Sequence, residues 1–82
     1  MRKKINTISI TVYNREAVYK TVSEILHDFA KDILLRTGYP LKDRNVAIIF
    51  LITEMTTDQL GALTGKLGQL KSVKVKSTTL KI

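Results

Sequence analysis

Val46-Ala-Ile-Ile-Phe-Leu-Ile52 is an unbroken apolar run, rich in β-branched residues and too short for an ordinary helix. It reads as a strand. Because it does not alternate, both of its faces ask for burial, unlike a strand with one side in water. Ahead of it, Lys42, Asp43, Arg44 and Asn45 form a polar turn. Before that turn, Ile33 to Thr37 is short and aliphatic and leads into Gly38-Tyr39-Pro40, which predicts a strand ending before the proline. After the run, Thr56 followed by Gln59 has the form of a capping box and opens a helix to about Leu70. At about 100° per residue, Leu60, Leu63, Leu67 and Leu70 fall within roughly 80° of one another and form its core stripe.

Moving outward, residues 5–13 alternate: Ile8, Ile10 and Val12 share one side, and Ser9, Thr11 and Tyr13 the other. Asn14 breaks the alternation and suits a helix cap, with Glu16 near the positive dipole end. Val18, Val22, Ile25, Leu26, Phe29 and Ile33 then recur at helical spacing, predicting a helix from about Arg15 to Lys31. Val73 and Val75 belong to a last strand. The order β-α-β-β-α-β predicts an α+β, ferredoxin-like sandwich: a four-stranded antiparallel sheet with both helices on one face. Residues 1–82 are read as one domain.

The 82 residues are 44% apolar and 26% charged, an ordinary globular composition. A chain this short buries only about 60–65% of its unfolded surface, so its core is thin. With no Cys there is no disulfide framework or thiolate site, and a lone His, His27, excludes a His-rich metal site within one chain. No apolar stretch reaches a membrane span, and Asn6, Thr7, Ser9 and Thr11 interrupt the place of a signal-peptide core, so a cytoplasmic protein is expected.

The net charge of +7 raises a nucleic-acid or other anionic partner. Yet residues 5–65 hold six basic and seven acidic groups; the excess lies in Arg2, Lys3 and Lys4 and in Lys66, Lys71, Lys74, Lys76 and Lys81. Pairing of the first and last strands would gather Lys3, Lys4, Lys74, Lys76 and Lys81 along one edge. Those lysines either prevent edge-to-edge pairing or contact phosphates of DNA.

The two-sided apolar strand points to a second subunit, with Ile49 and Leu51 assigned to that contact. Gly61, Gly65 and Gly68 cluster within about 60° on the helix side away from the leucines. Each costs on the order of 1 kcal/mol relative to Ala, so they either admit a partner helix or ligand, or are tolerated with Gly68 at the helix end. Arg36, set among aliphatics, suits a carboxylate or phosphate across an interface, or else keeps its head in water. Glu24, His27, Asp28 and Lys31 read as a solvated helix face, and no metal or other cofactor is expected. No hydrolytic arrangement, paired carboxylates or phosphate loop appears, so no catalytic residue is assigned.

Ile33-Leu-Leu-Arg-Thr-Gly-Tyr-Pro40, Asn45-Val-Ala-Ile-Ile-Phe-Leu-Ile52 and Leu60-Gly-Ala-Leu-Thr-Gly-Lys-Leu-Gly-Gln-Leu70 resemble, in order and spacing, the small ACT-like proteins named iron-only hydrogenase system regulators. The likeness spans nearly the whole chain. It implies an ACT kind of ferredoxin-like fold, related to the ligand-binding domain of nickel-responsive repressors, and a homo-oligomer, dimer or tetramer. The nickel-binding relatives use several His and a Cys, which this chain lacks. It also has no glycine in Tyr13-Asn14-Arg15-Glu16, where amino-acid-binding ACT domains often place one, and Lys71-Ser72 stands where a glycine is common. The expectation is a non-enzymatic transcriptional regulator of an iron-only hydrogenase system that either senses a small ligand, through Asn14, Arg15, Arg36, Gly61 and Gly65, or relays a signal through protein contacts. Its subunits would meet through Ile49, Leu51, Gly61, Gly65 and Gly68, and direct DNA binding by the basic edge is the alternative.

Overall fold

The computed structural model describes residues 2–82. Strand β1 (Lys4–Tyr13) leads into helix α1 (Arg15–Asp28) and, after one 3₁₀ turn at Ala30–Asp32, strand β2 (Ile33–Leu41). A second 3₁₀ turn, Lys42–Arg44, connects to β3 (Val46–Met55), followed by α2 (Thr57–Gly68) and β4 (Val73–Thr79). The sheet is antiparallel with strand order β2-β3-β1-β4. This is the expected α+β sandwich. β2 runs through Pro40, past its expected end; as an edge strand it needs no ladder donor on its outer side, so proline is tolerated.

The alternation in β1 survives folding: Ile8, Ile10 and Val12 are fully buried beneath the helices. The pairing Ile8↔Leu51, Ile10↔Ile49 and Val12↔Ala47 carries that parity into β3. Leu51, Ile49 and Ala47 therefore face the helices and are buried, together with Met55. This corrects the assignment of Ile49 and Leu51 to a subunit contact: at 1% and 0% exposure within one chain, neither has surface left to give a partner. The other side of β3 presents Ile48 and Phe50, 42% and 36% exposed, to the open face of the sheet.

Val22 and Leu26 of α1 and Leu63 and Leu67 of α2 complete the core, with Leu60 and Leu70 partly buried against it. Each fully buried aliphatic side chain contributes roughly 1.5–3 kcal/mol. Asn6 and Thr53 are also buried in this layer; Asn6 donates to the Thr53 hydroxyl (3.4 Å) and accepts from that of Thr79 (2.7 Å). That link ties three strands at one end of the sheet and satisfies groups whose burial would otherwise be costly.

The capping box is present: Gln59 N–H donates to Thr56 Oγ1 (3.1 Å) and Thr56 N–H to Gln59 Oε1 (2.8 Å). Gly61, Gly65 and Gly68 face outward, and a Cβ built on any of them meets nothing within 4 Å. Gly61→Ala and Gly65→Ala should therefore each stabilise the chain by about 0.5–1 kcal/mol through helix propensity. Urea unfolding at low protein concentration measures the gain; a loss would mean that close contact with another molecule requires these glycines.

Candidate functional site

The N-terminus of α1 is held from a distance. Asn14 (φ 53°, ψ 54°) and Asn45 (φ 52°, ψ 41°) both adopt the left-handed conformation that Asn tolerates better than most residues. Asn14 makes no side-chain cap of its own, contrary to expectation. Instead Asn45 Oδ1 accepts from Glu16 N–H (3.2 Å), the Asn45 carbonyl accepts from Arg15 N–H (2.8 Å), and Asn45 Nδ2 donates to Asn14 Oδ1 (3.3 Å). Ala17 N–H donates to the Asn14 carbonyl (3.1 Å). The helix dipole end is thus capped by the turn between β2 and β3, and its first donors are engaged.

That anchoring places Arg15 over a cleft of about 200 Å³ between α1 and the β2–β3 pair, lined by Tyr19, Gly38, Tyr39, Pro40, Ala47, Ile48 and Ile49 as well as Arg15. The guanidinium lies 5.6 Å from the Tyr19 ring centroid, a cation–π contact worth about 0.5–1 kcal/mol near a surface. Arg15 Nε is shielded from solvent and has no hydrogen-bond partner. An unmet buried donor costs roughly 1–3 kcal/mol, which leaves this side chain a gain to make from any acceptor that reaches Nε. Gly38 keeps the floor open: a Cβ there would meet the Ile48 carbonyl at 3.6 Å and Ile49 Cγ1 at 3.8 Å, which is ordinary contact.

Of the sequence-assigned ligand residues, the structure brings Arg15 to the Gly38–Pro40 segment and leaves Gly61 and Gly65 outside this cleft. Asn14 serves the clasp with Asn45. Arg36 sits one register step along β2 and donates from Nη2 to Ser23 Oγ (3.2 Å) on α1. Tyr19, Tyr39 and Asn45 escaped sequence reading. Tyr19 shares the helix side of Val22 and Leu26 and packs against the core, so it reads as one more core residue; Tyr39 reads as punctuation before Pro40, and Asn45 acts on a helix 29 residues away.

The basic residues do not share one edge: Lys74 and Lys76 stand on edge strand β4, while Lys4 opens the interior strand β1. Lys74 and Lys76 pair with Thr11 and Ser9 on edge strand β4, and Lys3, Lys4 and Lys81 surround a terminal hollow of about 560 Å³ with Arg2. Lys3 also pairs with Asp32 at 3.6 Å, a surface contact of little energetic weight. His27 is exposed. Among the described residues no group of three or more His, Cys, Asp or Glu is placed to hold a metal ion, and no helix is long and apolar enough to cross a membrane.

Residues 4–77 match the family model TM1266-like, described as "Iron-only hydrogenase system regulator, putative". The uncharacterized protein TM1266 from Thermotoga maritima is similar in structure with a TM-score of 0.93 at 49% identity, over 98% of this chain and 100% of that one. The ACT domain from the GTP pyrophosphokinase of Chlorobium tepidum gives a TM-score of 0.77 at 19% identity, over 93% and 99% of the two chains, and speaks to the fold alone. No curated protein matches.

The clasp is testable. Asn45→Gly keeps the left-handed backbone but removes both side-chain hydrogen bonds, and should cost about 0.5–1.5 kcal/mol in urea unfolding. Asn45→Ala should cost roughly 1–2 kcal/mol more, because it adds left-handed strain.

Proposed function

The chain belongs to the TM1266-like family of iron-only hydrogenase system regulators, and from that premise we propose a non-enzymatic regulatory module that senses a small carboxylate ligand in the Arg15 cleft. The observation that carries this reading is Arg15 Nε, buried without a partner in a side chain that lines the cleft. Its guanidinium offers a planar fork suited to a carboxylate, and Tyr19, Tyr39 and Pro40 offer apolar walls for the ligand's body. Ligand state is relayed through protein contacts, acting on transcription of a hydrogenase system.

The module works as a homo-oligomer whose subunits meet along β2. The two sheet edges differ. β4 carries Lys74 and Lys76, which discourage strand addition, whereas β2 has no lysine and exposes Leu34, Leu35 and Tyr39. Its one cation, Arg36, is turned toward Ser23 of α1. A second β2 placed there brings a neighbour beside Gly38–Pro40, so the cleft lies at the subunit boundary and its occupancy is felt by both copies. The outward glycines of α2 leave a further surface open to close approach.

Thermal unfolding of the whole chain against a panel of free amino acids and aromatic carboxylic acids tests the ligand reading. At least one compound should raise the melting temperature by several degrees at saturation. The rise should vanish in Arg15→Leu and in Gly38→Val, which fills the floor. No response in the native chain, or one that survives both changes, refutes it. Native mass spectrometry should show a dimer or tetramer that Leu35→Lys dissociates; a monomeric native chain refutes the edge-pairing reading.

A further inference from the structure

The open face of the sheet carries Phe50, Ser9, Thr11, Lys74 and Lys76, none of which lines the Arg15 cleft or stands on the β2 edge. Register places Phe50, Ser9 and Lys76 in one row across β3, β1 and β4, and Ile48, Thr11 and Lys74 in another. Each row therefore presents an apolar group, then a hydroxyl, then an ammonium. By strand spacing, the apolar group and the lysine stand about 9–10 Å apart, and equivalent positions in the two rows about 6.8 Å apart. Ser9, Thr11, Lys74 and Lys76 line a shallow hollow of about 360 Å³. Tyr39, paired with Ile48, and Tyr13, paired with Val46, add exposed rings to the same face.

We propose that this face binds single-stranded nucleic acid, with bases on Phe50 and Ile48, sugars over Ser9 and Thr11, and phosphates at Lys76 and Lys74. The repeating unit of such a strand is a flat apolar base, a polar sugar and an anionic phosphate, the same order that the rows present. Four-stranded sheets recognise single strands by stacking bases on aromatics of this kind, without reading a groove. Charge complementarity decides against a second copy as the occupant. Across the strands the face carries two lysines and a single acid, Glu54, which stands apart in the row of Ile5. A copy of this face therefore offers almost no counter-charge, whereas a phosphate backbone supplies one for each row. A duplex stacks its bases away from the protein and fits only the lysines.

The proposal does not depend on the carboxylate reading: the two sites share only Ile48 and Tyr39, and Phe50, Ser9, Thr11, Lys74 and Lys76 lie outside the Arg15 cleft. Fluorescence anisotropy of the whole chain with short labelled oligo-uridine, oligo-thymidine and a duplex of equal length tests it. Both single strands should bind more tightly than the duplex, with a salt slope of roughly −1.4 from two phosphate contacts at about −0.7 each. Phe50→Leu, which keeps the apolar volume but removes the ring face, should weaken binding roughly 5- to 100-fold. Phe50→Tyr should keep it, and Lys74→Glu with Lys76→Glu should abolish it. Lys20→Glu on α1, away from the sheet, should leave it within about twofold. Equal or tighter duplex binding, no effect of Phe50→Leu, or no binding at low salt overturns the proposal. So does a change of native mass in Phe50→Leu, since the face would then be a contact between copies.

Discussion

The register between β1 and β3, running from Lys4↔Met55 to Tyr13↔Val46, is the constraint on which the rest of the molecule depends. β1 alternates strictly, so its parity is decided by burial of Ile8, Ile10 and Val12. β3 is apolar on both sides and would accept either parity by composition alone. Pairing with β1 forces Ala47, Ile49 and Leu51 inward and leaves Ile48 and Phe50 outward. A slip of one residue would exchange the two sets and expose Asn6 and Thr53 to the wrong surroundings. The buried link among Asn6, Thr53 and Thr79 opposes such a slip, because its hydrogen bonds exist in one register only.

From that ladder the two ends of the sheet acquire different characters. At one end, the turn into β3 delivers Asn45 to the start of α1, so β1, α1 and the β2–β3 turn are fastened together. Tyr13 N–H also donates to the Ser72 carbonyl (2.7 Å), bringing the α2–β4 connection into the same junction. At the other end, the chain runs on past β4 and Leu80 N–H donates to the Ile5 carbonyl (2.9 Å), which collects Lys81 beside Lys3 and Lys4. The concentration of positive charge follows from strand pairing, with no separate cause required.

Periodic stretches were legible in the sequence because their periods carry local information. The alternation of residues 5–13, the leucine spacing of α2 and the Thr56–Gln59 box are each decided by neighbours within one or two turns of chain. What failed was aperiodic or non-local. Val46–Ile52 has no period, so the sides of Ile49 and Leu51 could not be assigned without the pairing partner. Asn14 was expected to cap α1 alone, but its backbone is left-handed and the cap comes from Asn45, a contact that no local pattern encodes. Pro40 reads as a strand end only if the strand is interior, and edge position is a property of the whole sheet. The cleft was half visible: Arg15 was singled out, while its companions Tyr19, Gly38 and Tyr39 come from two elements that meet only after folding.

The same ladder explains how one small chain offers two dissimilar surfaces. In β2 and β3, each residue on the helix side is followed by one on the open side, so Gly38 and Ile49 alternate with Tyr39 and Phe50. The two sets cannot be re-aimed independently, because successive side chains of a pleated strand share one backbone. The ladder continues from β3 through Ser9 and Thr11 of β1 to Lys76 and Lys74 of β4, so each row of the open face is fixed by the same pairing that buries Ile8, Ile10 and Val12 on the other side.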